Sequence, residues 1–169
     1  MSIFPRRGYA TLLRSFALLL LVMLIAEPLQ AQVPPALVGR WALQQIAYEA
    51  SRPMPDTLQE QLFHSPAADT NIGITNGELL LVVDFRPDGT YTYTTSRRNK
   101  AVHAEQGRYE VRKGRLYSQA TDTTATPLFD GQEIVQLTRR KMLLQSPFLN
   151  PSFQLFEQLL YSRLPSKKP

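Results

Sequence analysis

Few side chains in this 169-residue sequence are of the types that carry catalysis or hold metals, and their spacing argues against most of that chemistry. The two histidines, His64 and His103, have no second histidine at metal-ligand spacing. Both read as surface residues. No cysteine occurs, which excludes disulfides, thiolate metal sites, a cysteine nucleophile and a lipid anchor on a mature N-terminal cysteine. Gly-x-Ser-x-Gly, the P-loop and the dinucleotide fingerprint are all missing. Asp69-Thr70-Asn71 opens like a calcium loop, yet the position for the bidentate glutamate is Leu80. No enzyme activity and no cofactor is expected.

What is left is the chemistry of binding. Tyr91, Tyr93 and Tyr109, with Phe85, alternate along strand-like runs. They could line a pocket with apolar walls and hydroxyls that orient a small hydrophobic ligand. The competing reading is that the same rings fill a core. Tyr91, Tyr93, Tyr109 and Tyr117 also stand near Arg97, Arg98 and Arg108, a composition shared by nucleic-acid platforms. Tyrosine–threonine strands are ordinary in barrels, however, and no nucleic-acid partner is expected. Glu157 shares a parity with Leu155, Leu159, Tyr161 and Arg163, so an inward Glu157 would be a buried acid facing a cation or a ligand group. Phe156, Leu160 and Leu164 mark the opposite parity almost as strongly, and the expectation is that Glu157 faces outward.

These residues need a scaffold, and its anchor is Leu37–Leu43, which holds the single tryptophan, Trp41, two residues after Gly39. One large ring there can close the bottom of a small barrel, removing roughly 150–250 Å² from water. The first strand spans about 37–49, with Gly39, Trp41, Leu43 and Ala47 on one face. Gln45 interrupts that row, as a polar group inside or as the mark of a bulge. In the long connection 50–77, Thr57-Leu58-Gln59-Glu60 has the form of a capping box and Leu58, Leu62 and Phe63 lie on one helical face. One short helix over 56–64 follows, then a loop through Asp69, Asn71, Gly73 and Gly77. That segment would be a lid over a barrel mouth or a plug in one end.

From residue 78 the pattern is a meander. Leu79, Leu81, Val83 and Phe85 share a face over 78–86, and Pro87-Asp88-Gly89 is a turn in which proline presets φ and glycine supplies a positive one. Strands follow over 90–96, 107–112, to Ala120 beyond a Lys113-Gly114 turn that pairs Val111 with Leu116, 132–138, 141–146 and 153–164. Arg97–Lys100 would be an outer loop. Over 132–138, Val135 and Leu137 would oppose Ile134 and Gln136. Eight strands joined mostly by short turns describe an all-β, eight-stranded up-and-down antiparallel barrel. Its interior is just large enough for packed side chains or one small ligand.

Residues 1–31 read as a signal peptide. Arg6, Arg7 and Arg14 precede an apolar run from Ser15 to Ala26, and Pro28–Ala31 offers a cleavage site. The run is shorter than the roughly 20 residues that span a bilayer. No transmembrane anchor is expected after cleavage, and the destination is the periplasm or the exterior. Residues 32–36 are a stiff lead-in, 37–164 the domain, and 165–169 a loose tail. Of the formal net charge of +5, two units belong to the leader and two to Lys167 and Lys168. The body is thus nearly neutral at +1, so the basic isoelectric point is a property of the ends.

Gly39-x-Trp41, the run Phe85–Tyr91, Gly107-Arg108-Tyr109-Glu110-Val111 and the last strand ending Tyr161-Ser162-Arg163-Leu164 together resemble the lipocalin-like families of small secreted bacterial proteins, within the wider calycin group. The similarity covers roughly 37–164. It implies a barrel closed at its base by Gly39, Trp41 and Arg163, with the arginine packed over the tryptophan. It also implies a small, largely apolar ligand in the mouth between Phe85, Tyr91, Tyr93 and Tyr109. The alternative is a solid barrel that serves as an interaction module, gripping another protein of the cell envelope.

Overall fold

The computed structural model describes residues 33–122, 126–148 and 154–165. The signal segment 1–31, residue 32 of the lead-in, the expected start of the last strand at Phe153 and the tail from residue 166 lie outside the described residues. The elements are β1 (Gly39–Ala50), α1 (Asp56–Phe63), α2 (Pro66–Thr75), β2 (Leu79–Phe85), β3 (Thr90–Arg97), β4 (Lys100–Arg112), β5 (Arg115–Ala120), β6 (Asp130–Leu137), β7 (Lys141–Pro147) and β8 (Leu155–Arg163). Each strand pairs antiparallel with its sequence neighbour, and β8 returns to β1, so the sheet closes into a ring without an end strand. No helix among the described residues is long and apolar enough to cross a membrane.

Turn chemistry sets the hairpins. At the β2–β3 turn, Asp88 Oδ1 accepts from the Thr90 amide at 2.9 Å and the Thr90 hydroxyl at 2.7 Å, while Gly89 takes φ +79°. These bonds hold the Asp88 carboxyl below its usual range. Tyr109 fixes the turn from the neighbouring strand, its amide donating to Gly89 O at 2.8 Å and its hydroxyl to Arg86 O at 2.7 Å. At Lys113-Gly114 both residues have positive φ, and Val111 pairs with Leu116 in the expected register.

Four features differ from the sequence expectation. The segment expected as a loop through Asp69, Asn71 and Gly73 is a second helix, α2. Ser65 caps it by accepting from the Ala68 amide, and Pro66 occupies its first turn. The expected outer loop 97–100 shrinks to a tight turn at Arg98-Asn99, both at positive φ, because β4 begins at Lys100 rather than near 107. The interrupted row in β1 is the bulge that Gln45 offered as one of two readings, between Leu43 and Gln45; what differs is that it turns Ile46 and Tyr48, in place of Ala47, toward the face of Trp41 and Leu43. In β6 a similar irregularity between Ile134 and Gln136 leaves Val135 49% exposed, so Ile134 and Leu137 pack on the core together.

The core sits inside the ring toward the end where β1 starts. It includes Leu37, Trp41, Val83, Phe85, Tyr91, Tyr109, Leu116, Phe129, Met142 and Leu144. The Phe85 ring lies 4.6 Å from that of Tyr109 and 5.7 Å from that of Phe129, within the range of favourable aromatic pairing.

Candidate functional site: the half-open end of the ring

The two ends of the ring are built differently. At the base, the Trp41 indole N–H donates to Leu37 O at 2.7 Å, and the Arg163 guanidinium stacks over the indole with Cζ 4.4 Å from the ring centroid. Arg163 also donates to Val38 O at 2.8 Å and to Ala36 O. Gly39 has φ +132°, and a Cβ there would lie 2.7 Å from Arg163 Nη1. A side chain would thus be strained by its own backbone and would collide with the guanidinium. Gly39, Trp41 and Arg163 form one closed unit.

Of the residues singled out for a pocket, Phe85, Tyr91 and Tyr109 are 1%, 0% and 5% exposed, while Tyr93 is half-buried one step further from the base. Phe85 and Tyr91 are cross-strand partners, as are Tyr91 and Gly107. Gly107 is needed here. A Cβ on it would lie 2.8 Å from Tyr91 Cε1 and 2.1 Å from Gln119 O, so only glycine lets the Tyr91 ring cross the strand. The Tyr91 hydroxyl then donates to Glu105, two residues away on the same face of β4. Burial, reinforced by Glu105, pushes the Tyr91 phenol up to about 12. Burial and the charge of Asp88 push Tyr109 up to about 12.

Beyond Tyr91 the inward rows become polar and partly exposed. On β8 the row runs Leu155, Glu157, Leu159, Tyr161, and the partners of its glutamate are Tyr48 on β1 and Ser146 on β7. Glu157 therefore faces inward, contrary to the expectation from its sequence. The β1 bulge brings Tyr48 opposite it, and the Tyr48 hydroxyl donates to Glu157 Oε1 at 3.3 Å. Tyr161 is 4% exposed; burial, then the proximity of Tyr93 and Glu157, raises its phenol far above the ordinary value. Tyr93, Glu105, Glu157, Leu81, Leu159 and Ile46 are all partly exposed although they point into the ring.

Helix α2 borders this end. Asn71 accepts from the Ile46 amide at 2.8 Å and donates to Ile46 O at 2.7 Å, satisfying both backbone groups beside the β1 bulge. Ile74 packs against the core, whereas α1 has no buried residue and Phe63 at its end is 76% exposed.

His64 lies edge-on to Phe63 and His103 edge-on to Tyr93, at 5.2 and 6.2 Å between centroids. Among the described residues no group of three or more His, Asp or Glu side chains is placed to hold a metal ion. Tyr117 lies under the Arg112 guanidinium at 4.4 Å. Glu105, Tyr48, Tyr161 and Phe129 were not singled out from sequence. The signal for Glu105 was its parity with Tyr109, which a strand starting near 107 hides. Tyr48 becomes inward only through the bulge. Compared with known proteins, the sequence matches no family model and no curated protein.

Proposed function

We propose that this chain is an exported, non-enzymatic lipocalin-like domain that takes one small, largely apolar molecule into the half-open end of its ring. The observation that carries this reading is the gradient along the inward rows. Side chains at the base are fully buried, whereas Ile46, Leu81, Tyr93 and Leu159 point inward yet keep contact with solvent. Water-accessible apolar side chains inside a closed sheet make a concave site of the kind small ligands use. Phe85, Tyr91 and Tyr109 would form its floor and Tyr93 part of its wall, with Gly39, Trp41 and Arg163 closing the base. The leader at 1–31, read from sequence, supplies the export half of the proposal.

The test is native mass spectrometry of the protein purified from its own host without detergent, followed by analysis of an organic extract. A stoichiometric small molecule, lost when Tyr93→Arg fills the opening, supports the carrier. An empty extract, with no uptake from a panel of fatty acids, alcohols and amines, overturns it.

A second reading, an interaction module of the cell envelope, draws on β4. Strand β5 pairs with it only as far as Gly107–Ala120, and Thr121 donates to Gln106 O. Among the described residues Lys100–Glu105 therefore keeps one edge unpaired, with Val102 60% exposed. Such an edge accepts an added strand. Crosslinking in the envelope that captures one partner through this edge would favour it.

A further inference from the structure

We propose that the ligand of the half-open end is an organic cation, an ammonium group on an apolar body, with Glu157 and Glu105 as its counter-charges. The inference rests on the carrier reading above and names the class of molecule carried.

The argument begins with two carboxylates in an unusual place. Glu157 on β8 and Glu105 on β4 both lie on inward rows, and in the closed order β1 to β8 these strands stand on opposite sides of the ring. Carboxylates withdrawn from water are normally matched by a cation. The ion pairs formed among the described residues are Arg98–Glu78, Arg112–Glu110 and Arg115–Glu133, all between exposed side chains. None reaches Glu105 or Glu157. Arg163, on the same row of β8, is committed to Trp41 and to the carbonyls of Ala36 and Val38. His103 shares the face of Glu105 but rests against the Tyr93 ring and makes no ion pair with it. The two acids are met only by tyrosine hydroxyls, from Tyr48 at 3.3 Å and from Tyr91.

Tyr161 supplies an independent observation. Its side chain is 96% buried, it lies near Glu157 and Tyr93, and its hydroxyl makes no hydrogen bond among the described residues. A primary ammonium has three donors and no acceptor. It can donate to the Glu157 carboxylate and to this phenol oxygen together, close to Tyr93. Ile46, Leu81 and Leu159 then receive the apolar body. An anionic headgroup would meet two negative charges and no positive one, so fatty acids fit the same space poorly.

Isothermal titration of the full protein with dodecylammonium, dodecanol and dodecanoate, each below its micellar concentration, separates headgroup from chain. The expected result is that dodecylammonium binds at least about tenfold more tightly than dodecanoate, the scale set by one partly desolvated charge pair. Glu157→Gln should remove most of that preference, and Tyr161→Phe should weaken the amine more than dodecanoate. Near-ultraviolet circular dichroism of each variant establishes that the core is intact. Equal affinities for all three, or a preference that survives both Glu157→Gln and Glu105→Gln, would overturn the cation assignment and leave the carrier standing. No binding of any of the three would overturn both.

Discussion

The base and the opposite end of this ring are made from the same strands yet obey different rules. At the base most polar groups are paired with a neighbour in the fold: Trp41 with Leu37, Tyr109 with the β2–β3 turn, and two guanidinium nitrogens of Arg163 with main-chain carbonyls. Among the described residues, the one buried side-chain nitrogen or oxygen without a hydrogen-bond partner is Arg163 Nε. At the other end the inward groups are carboxylates and phenols with few partners and partial exposure. The first arrangement is what a sequence selected for stability produces. The second leaves its inward carboxylates and phenols in partial contact with solvent. On the proposed function, stability belongs to the base and recognition to the other end.

That division can be broken at the base first, and the largest effect expected is alkaline. Tyr91 and Tyr109 ionise at about 12 in the fold against an ordinary 10.0, because burial disfavours the phenolate. A raised folded value means their contribution is fully present below the unfolded pKa and is lost as pH rises through the folded one. The domain should unfold cooperatively between pH 10 and 12, with tyrosinate absorbance and loss of near-ultraviolet dichroism rising together. Smooth ionisation without unfolding would show these phenols to be outside the stabilising unit. Next in size is Trp41→Ala. It empties the centre of the base and strips Arg163 of its platform, and should cost about 3–5 kcal/mol in urea unfolding. Less than about 1 kcal/mol would mean the base is not the seat of stability.

An intermediate effect lies at the border of the two regions. Asn71→Ala removes both hydrogen bonds to Ile46, leaving an amide and a carbonyl beside the bulge without their partner. About 1–3 kcal/mol should be lost from the docking of α2, read as faster hydrogen exchange at the Ile46 amide. The base, followed through Trp41 fluorescence in the same experiment, should keep its midpoint within about 1 kcal/mol of the parent. If both move together, the two ends form one cooperative unit and the contrast fails.

What could be read from the sequence follows the same boundary. The base was accessible because each feature is local: glycine two residues before tryptophan, Pro-Asp-Gly in a turn, Tyr109 and Val111 alternating with charges. The other end depends on bulges. One extra residue in β1 exchanges Ala47 for Tyr48 as an inward side chain, and one in β6 expels Val135, neither of which a strict period of two can foresee. Helix α2 escaped because Thr70, Asn71, Gly73 and Thr75 are weak helix formers. Its place is secured by the Ser65 cap and by Asn71 across the mouth, the second a tertiary contact. The first half of β4 carries no sequence signal, since Lys100–Ala104 and Gln106 are exposed and the one partly buried side chain, Glu105, is polar, so no apolar alternation arises. Because β8 is apolar on both parities, only the pairing of Glu157 with Tyr48 and Ser146 shows that it faces inward.

The smallest expected effect is the sharpest test of the division. Glu157 is partly withdrawn from water, holds one long hydrogen bond from Tyr48 and forms no ion pair. The fold therefore makes little use of its charge, and replacing such a group by a neutral one of similar shape is often neutral or stabilising. Glu157→Gln should change unfolding free energy by less than about 1 kcal/mol, with stabilisation the favoured sign. A loss above that would make Glu157 a structural residue like those of the base. A neutral result at this inward position would mean that the fold does not need this charge, as the proposed function requires.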